Sequence, residues 1–386
     1  MAVWLGCSGR QDSHSSSSSA ETPAGKTAAP EAGGSAAVAE LAKASPLAGM
    51  PQVLDPNDIY SADRAGDLSP VVQKFPSLVY VPNSGSNTVD VIDPKTFRII
   101  RHFRVGRQPQ HVTPSWDLKT LWVLNDLGDS LTKIDPATGM PGRTIHVEDP
   151  YNMYYTPDGK YAIVVAEARH RLDFRDAQTM NLAHSVTVPC KGVDHMDFSA
   201  NGRYLVASCE FSAELLAVDV AGQKVVGTLM LKPGGMPQDV KLSPDGKIFY
   251  VADMMANGIY EIDADNFTIA GFIPTGKGTH GLYASRDSRV LYISNRGEGS
   301  ISLLDFATRT LVKKWQIPKG GSPDMGGVSA DGKVLWLSGR YNHEVYAFDT
   351  SDGHLLARIP VGQGPHGLCV YPQPGRYSLG HTGVFR

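Results

Sequence analysis

The amino-acid sequence predicts an all-β protein with the architecture of a seven-bladed β-propeller. A short apolar segment that ends in aspartate and runs into a turn recurs seven times, at intervals of 41 to 44 residues. A second turn of the Ser-Pro-Asp-Gly type runs in phase with it, as in 156–160, 199–203, 243–247 and 329–333. The 40 glycines and 26 prolines among 386 residues supply the turns that many short strands require. Four short antiparallel strands per repeat of this length indicate a propeller blade.

Each repeat reads as four strands, and residues 281–318 are the clearest copy. Its strands are GLYAS, RVLYISN, SISLLD and LVKKWQIP, and the last two alternate as half-buried antiparallel strands do. Aspartate suits the end of the third strand because its carboxylate accepts backbone N–H groups two residues on, which closes an Asx turn. The seven aspartates are Asp93, Asp135, Asp176, Asp219, Asp263, Asp305 and Asp349.

The two ends of the repeat region complement each other. The first copy, residues 78–105, lacks an innermost strand, whereas the segment GLCVYP at 367–372 supplies one and has nothing after it. We therefore expect the N- and C-terminal strands to pair within a shared seventh blade. This pairing closes the ring and removes two open sheet edges.

Outside the repeats, the sequence predicts a leader and linker at 1–74 and a C-terminal tail at 373–386, with the propeller at 75–372. The segment LGCSG around Cys7 resembles the lipidation site of a bacterial lipoprotein. Residues 8–45 are rich in Ser, Ala, Gly, Pro and Thr, so we expect residues 1–74 to be largely disordered. The alternative to lipidation is that Cys7 is incidental and the N-terminus is only a disordered segment.

Composition excludes several classes of protein. The 36 Lys and Arg nearly balance the 39 Asp and Glu, which predicts no nucleic-acid partner and no binding to an anionic membrane. The cysteines Cys7, Cys190, Cys209 and Cys369 form no CxxC pair, and no CxxCH, GxSxG, HExxH or P-loop motif occurs. Metal-finger, c-type haem and common hydrolase sites are therefore excluded.

One position of the repeat carries polar residues in all seven blades. In six blades it lies 24 or 25 residues before the turn aspartate, and in the shared blade His366 supplies it. The position comes just before the innermost strand, so its side chains should surround the central channel. The seven residues are the candidate ligand-binding set at the channel mouth: His111, Asn152, His195, Gln238, His280, Asp324 and His366.

Imidazoles and carboxylates in such a ring are good ligands for first-row transition metals. The histidines His111, His195, His280 and His366 are therefore candidate metal ligands. Basic residues just upstream, namely Arg107, Lys191, Lys277 and Lys319, form a candidate collar for an anionic ligand. The structural alternative is that the histidines belong to the repeat itself and hydrogen-bond the backbone of a neighbouring blade.

The segments YVPN (80–83), WVLN (122–125) and YISN (292–295), with the in-phase turns, resemble the YVTN-repeat family of seven-bladed propellers over about residues 75–372. The resemblance extends to the nitrous oxide reductase and haem d1 nitrite reductase propellers, which implies a metal or haem d1 held by histidine. The chain has only four ring histidines and no appended copper domain, unlike the former. It has seven repeats, whereas the latter has eight blades.

The function predicted from the sequence is an exported, lipid-anchored propeller that binds a ligand, cofactor or protein partner at the channel mouth, with no assigned catalysis. The alternative is an oxidoreductase or cofactor-maturation factor that carries a transition metal or haem d1 on the ring histidines. We expect a monomer at the extracytoplasmic face of a bacterial membrane, or secreted, that touches the membrane only through its lipid anchor.

Overall fold

The structure is a computed structural model that describes residues 34–381 and 384–386, so the predicted lipidation site at Cys7 lies outside the described residues. Within that part of the chain the strands form seven antiparallel sheets, which confirms the seven-bladed propeller. Among the described residues, no helix is long and apolar enough to cross a membrane.

The elements follow one another in a regular order. Helix α1 (Gly34–Lys43) precedes β1 (Leu78–Asn83), β2 (Thr88–Asp93) and β3 (Arg98–Arg104) of blade 7. Blade 1 has β4 (Pro109–Pro114), β5 (Leu121–Asn125), β6 (Ser130–Asp135) and β7 (Met140–His146), and blade 2 has β8 (Asn152–Tyr155), β9 (Tyr161–Ala166), β10 (Arg171–Asp176) and β11 (Leu182–Thr187). Blade 3 has β12 (Val193–Phe198), β13 (Tyr204–Cys209), β14 (Glu214–Asp219) and β15 (Lys224–Met230), and blade 4 has β16 (Pro237–Leu242), β17 (Ile248–Asp253), β18 (Gly258–Asp263) and β19 (Thr268–Pro274). Blade 5 has β20 (Thr279–Ala284), β21 (Val290–Asn295), β22 (Ser300–Asp305) and β23 (Thr310–Gln316), and blade 6 has β24 (Pro323–Val328), β25 (Val334–Gly339), β26 (Glu344–Asp349) and β27 (Leu355–Pro360). The chain ends in β28 (Cys369–Tyr371), β29 (Ser378–Gly380) and β30 (Val384–Phe385).

Ring closure occurs in blade 7 as predicted. Strand β28 pairs antiparallel with β1, and Val79 lies opposite Val370. The Asx turns are also present, since the Asp93 carboxylate accepts the Lys95 N–H at 2.9 Å. Turns of this kind and the Ser-Pro-Asp-Gly turns share one face of the disc, which we call the lower face. The upper face carries the loops that enter each innermost strand and those that follow each second strand.

Side chains of the innermost strands tie neighbouring blades together. The Asp197 carboxylate accepts the Leu242 N–H at 2.8 Å, and the Asp239 carboxylate accepts the Leu282 N–H at 2.8 Å. Between these contacts the blades pack through apolar faces in which most side chains are fully buried. The channel walls are therefore rigid enough to hold side chains at fixed positions.

The prediction of disorder over 1–74 is wrong for residues 34–74. Buried apolar side chains such as Val38 and Ile59 are scattered through this polar segment and pack against the propeller. The Ile59 N–H donates to the Pro244 carbonyl at 2.9 Å, and the Gly66 N–H donates to the Ala330 carbonyl at 3.0 Å. Composition indicated disorder because these anchors are too few to change its average. The segment runs across the lower face.

Cys190 and Cys209 form a disulfide that joins the loop before β12 to the end of β13. Cys369 is buried with a free thiol.

Candidate functional site

The seven residues predicted to surround the channel are all buried. Their exposed fraction is at most 2%, although each belongs to an innermost strand or, for His366, to the segment just before β28. The structure thus places them inside the channel near its upper end, where all of them except Gln238 contact one another.

Four imidazoles form a closed circuit. The ring centroids of His111 and His366 lie 4.8 Å apart, and those of His111 and His195 lie 5.6 Å apart. His280 completes the circuit at 6.3 Å from His195 and 6.0 Å from His366. The glycine after His366 is required here, because a Cβ on Gly367 would lie 2.0 Å from Cδ2 of His111.

A fifth histidine, His381, comes from the C-terminal tail and enters the circuit. Its ring centroid lies 4.8 Å from that of His195 and 5.3 Å from that of His111. One ring nitrogen from each of these three residues lies within 4.8 Å of the other two. We call His111, His195, His280, His366 and His381 the histidine cluster. The repeat does not predict His381, because the tail lies outside it.

The tail reaches this position as a short hairpin inside the channel. Strand β29 adds to the inner edge of blade 2, where Gly380 lies opposite Tyr154. A Cβ on Gly380 would lie 2.5 Å from the Tyr154 Cα, and the residue has φ +92°, so only glycine fits. At the lower end, the Arg386 guanidinium donates to the Asp197 carboxylate at 3.1 Å. The predicted tail is therefore a channel plug that carries a histidine at its upper end.

Two members of the cluster have a defined tautomer. Nδ1 of His111 lies 2.9 Å from the Tyr151 carbonyl oxygen, and Nδ1 of His366 lies 2.8 Å from an Asp324 carboxylate oxygen. Both partners only accept, so each Nδ1 carries the proton and each Nε2 keeps its lone pair. Neither Nε2 has a hydrogen-bond partner among the described residues. These two nitrogens are therefore buried acceptors without a donor.

The Asn152 side chain is hydrogen-bonded to two other rings of the cluster. Its side-chain amide donates to Nδ1 of His195 at 3.0 Å and to Nδ1 of His381 at 3.2 Å. The amide oxygen is fixed because it accepts the Met153 N–H at 2.9 Å. Nε2 of His195 lies 3.2 Å from a carboxylate oxygen of Asp194. Asn152 thus occupies the lone pairs through which these two rings would bind a metal ion.

Asp324 connects the remaining rings to two arginines. Its carboxylate lies 3.1 Å from Nδ1 of His280, 3.1 Å from Nη1 of Arg296 and 3.9 Å from Nη1 of Arg340. Burial pushes the pKa of Asp324 upward, but His280 and the two guanidiniums together hold it below its usual range. Asp324 therefore stays ionised at neutral pH.

Burial keeps the imidazoles neutral. It lowers the pKa of His111 to about 4 and lowers the pKa of the other four as well, with neighbouring histidines or arginines adding to the effect. Neutral imidazole is the form that binds a metal. The cluster thus offers lone pairs at a pH where most exposed histidines would begin to carry a proton.

We predict that ¹⁵N NMR of the metal-free protein, labelled at histidine, will show His111 as the neutral Nδ1-protonated tautomer at pH 6. In urea the same residue should titrate near 6.5. Since the folded pKa of about 4 lies below the unfolded value, this group weakens the folded state as pH falls from about 6.5 toward 4. A protonated His111 signal at pH 6, or the Nε2-protonated tautomer, would contradict the assignment.

A second set of residues surrounds the upper opening of the channel, which we call the upper mouth. They are the residues that directly follow the second strand of each blade: Ser84, Asp126, Glu167, Glu210, Met254, Arg296 and Arg340. Three consecutive blades contribute carboxyl groups and two others contribute guanidiniums. Burial raises the pKa of Asp126 to about 7 and that of Glu167 to about 8. The upper mouth is therefore divided into an acidic and a basic side.

Other predicted residues do not converge on the cluster. Gln238 donates to the Met236 carbonyl rather than to an imidazole. The four residues of the predicted collar, Arg107, Lys191, Lys277 and Lys319, are exposed. They lie on the separate loops that enter the innermost strands, and the Arg107 guanidinium donates to the Leu127 carbonyl at 2.7 Å. The upper-mouth arginines lie closer to the cluster than this collar does, because they contact Asp324.

Fold and site define a seven-bladed β-propeller with a buried cluster of five histidines on its axis. The sequence profile of the YncE-like β-propeller family matches residues 58–375. The chain belongs to that family.

Two relatives match parts of the chain, and two solved structures share its fold. Protein YncE of Salmonella typhi is 22% identical over 262 residues, which cover 64% of this chain and 73% of the relative. Antigen Lp49 of Leptospira interrogans is 28% identical over 168 residues, which cover 38% of this chain and 36% of the relative. Hydrazine synthase of Kuenenia stuttgartiensis has a TM-score of 0.61 at 21% identity, covering 73% of this chain and 98% of that chain. Dihydro-haem d1 dehydrogenase NirN has a TM-score of 0.58 at 17% identity, and the match covers 84% of this chain and 78% of that chain. At these identities the two structures share the fold alone.

Proposed function

We propose that this protein holds a first-row transition-metal ion at the centre of the propeller, on His111, His195 and His381. The observation that carries the proposal is the approach of one ring nitrogen from each residue to within 4.8 Å of the other two. Neutral imidazole suits copper, zinc, nickel and iron. No thiol joins the set, since Cys369 is the free cysteine of the described residues and its side chain bonds its own strand.

The surroundings of His111 support the proposal. Histidines that bind metals usually donate their second ring N–H to a carbonyl or a carboxylate, which fixes the tautomer and aims the free lone pair. His111 does so toward the Tyr151 carbonyl, and His366 does so toward Asp324. His366 is therefore the natural fourth imidazole if the ion takes four.

Metal binding requires a small rearrangement. Zinc–nitrogen bonds of 2.0–2.1 Å place tetrahedral ligand nitrogens about 3.3 Å apart, which is closer than the 4.8 Å limit of the metal-free cluster. The amide of Asn152 must also leave Nδ1 of His195 and His381. Metal binding therefore requires rotation of the Asn152 amide, which breaks its hydrogen bond with the Met153 N–H, and movement of the three rings toward one another.

Haem d1, the cofactor implied by the resemblance to nitrite reductase propellers, does not fit the cluster. The enzyme NirN, which shares the fold of this chain, has a solved structure in complex with DHE. In the present protein each imidazole is at most 2% exposed, and neighbouring ring centroids lie 4.8 to 6.3 Å apart. These distances leave no space for a planar macrocycle between the rings.

Export and lipid anchoring at Cys7 remain part of the proposal. Disulfides persist in oxidising compartments outside the cytoplasm, and the Cys190–Cys209 bond supports such a location. We propose that the protein is a monomer whose N-terminal segment holds the propeller at the membrane surface. The metal site lies on the propeller axis.

The test is a loading experiment. Purified protein would receive one equivalent of Cu(II), Zn(II) or Ni(II), pass through a desalting column and be analysed for metal by mass spectrometry. We expect about one ion per chain for wild type and none for the triple variant H111A/H195A/H381A. The matched control is His184→Ala, because His184 is an exposed histidine on the outer strand β11.

The structural alternative predicts a different result from the same variants. The cluster histidines bond a neighbouring blade's backbone or carboxylate, as His111 and His366 do, and this role alone explains their burial. If wild type retains no metal and the triple variant loses only thermal stability, the cluster is structural and the proposed function is wrong.

A further inference from the structure

Arg340 has a buried donor without an acceptor at the upper mouth. Its Nη1 has no hydrogen-bond partner among the described residues, and the nearest carboxylate oxygen, on Asp324, lies 3.9 Å away. This distance is too long for a hydrogen bond. Leaving a buried charged donor unpaired is costly, so in folded proteins such a donor usually has a partner, which can be a water molecule or a bound ion.

The neighbouring Arg296, in contrast, has a partner for both of its Nη atoms. Its Nη1 donates to Asp324 at 3.1 Å, and its Nη2 lies 2.7 Å from the Met254 sulfur. The Tyr341 ring stacks on the same guanidinium, with 5.4 Å from Cζ to the ring centroid. Arg296 is therefore fixed, whereas Arg340 is held by one long ion pair.

The charges on this side of the upper mouth do not cancel. Asp324 is the carboxylate that both guanidiniums approach, and it is also hydrogen-bonded to His366. Within ion-pair distance, two positive charges thus share one negative charge, and the Glu210 carboxyl group is a further acidic neighbour of both guanidiniums. The imidazoles beneath them are neutral, because burial lowers the pKa of His366 and Arg340 lowers it further.

The charge imbalance lies next to the metal site. Asp324 Oδ2 is 2.8 Å from Nδ1 of His366, whose ring centroid is 4.8 Å from that of His111. A ligand that bridges from Arg340 toward the axis therefore reaches the cluster. Three protein ligands leave one coordination position of a metal open for an outside molecule.

We propose that Arg340, with Arg296 beside it, forms a binding subsite for a small oxyanion of carboxylate size, which it holds next to the metal. A guanidinium offers parallel N–H donors that match the two oxygens of such an anion. The placement beside the metal rests on the proposed function, whereas binding of the anion to Arg340 does not. The subsite differs from the exposed collar predicted from the sequence, since it lies inside the mouth.

The test uses ¹³C-formate as the probe. Formate would be titrated by NMR into metal-free and Cu(II)-loaded protein, for wild type, Arg340→Gln and Arg340→Lys. We expect Arg340→Gln to weaken formate binding about 10-fold or more, and Arg340→Lys to recover part of the affinity, because lysine keeps the charge but loses the paired donors. Arg289→Gln is the matched control, since Arg289 is 81% exposed at a turn of the lower face.

The outcomes separate the subsite from the metal site. Paramagnetic relaxation of formate by Cu(II) that disappears in Arg340→Gln, with copper content unchanged, supports the whole proposal. Formate binding that depends on Arg340 in a protein that retains no metal supports the subsite and refutes the metal site. Equal binding to wild type and Arg340→Gln, no binding at all, or a loss confined to Gln variants of Lys191, Lys277 and Lys319 would overturn the subsite.

Discussion

Replacing His381 by alanine should lower the affinity for Cu(II) by at least about 100-fold and leave the propeller folded. Loss of partners outside the ligand set already costs 10- to 100-fold in metal affinity, and His381 is one of the three ligands themselves. The ring lies 4.8 Å from His195 and 5.3 Å from His111, so its loss opens the centre of the cluster. Competition titration against a chelator of known affinity measures the effect.

Imidazole added to His381→Ala should restore part of the affinity, because the deleted side chain leaves a space of its own shape inside the channel. His184→Ala should bind copper as wild type does, since His184 is exposed on β11. An affinity for copper that is equal in His381→Ala and wild type would remove His381 from the site.

Replacing Arg386 by alanine should destabilise the protein by about 3–5 kcal/mol. This is the usual cost of breaking a buried ion pair from one side, because the remaining charge stays buried without compensation. Arg386 is 2% exposed and Asp197 is fully buried, with 3.1 Å between Nη2 and Oδ1. Arg386 also donates to the carbonyl groups of Phe198 and Ser199, which anchors the hairpin at the lower end of the channel.

Urea unfolding measures this change in the free energy of unfolding, and a double-mutant cycle with Asp197→Asn separates the pair from its neighbours. Arg289→Ala is the matched control. It removes an arginine from the exposed pair with Asp287, and such pairs contribute at most about 1 kcal/mol. A cost for Arg386→Ala as small as that of the control would mean that the hairpin is held by other contacts.

The repeat made the fold predictable from sequence. Each blade has its own turn residues and strand alternation, so seven imperfect copies together define one repeat length. The incomplete copies at the two ends indicate how the ring closes. The same period placed His111, His195, His280 and His366 at one level of the channel. Their contacts with one another follow from symmetry, since equivalent positions on innermost strands meet on the axis.

His381 and residues 34–74 lie outside the repeat, so the repeat length could not predict their structure. His381 reaches the cluster through a hairpin that enters the channel, and no repeat relates it to the ring. The order of residues 34–74 likewise depends on a few anchors such as Ile59 and Val38, which a compositional argument averages away.

Arg296 and Arg340 could have been found from the sequence. They directly follow the second strand in YISN-R and WLSG-R, in phase with Asp126, Glu167 and Glu210. An alignment of every polar position of the repeat, and not only the one that holds histidine, reveals this second ring of polar residues at the upper mouth. The exposed collar lies nearer the histidines in sequence, whereas the fold brings the loops after the second strands closer to them in space.

X-ray absorption at the copper edge tests the central claim most directly, with the protein loaded with one equivalent of Cu(II). If the ion lies on His111, His195 and His381, the spectrum will show three imidazole nitrogens, or four if His366 joins. The count will fall by one in His381→Ala. A first shell without imidazole scattering, or one that is identical in wild type and His381→Ala, would contradict a metal site at the centre of this propeller.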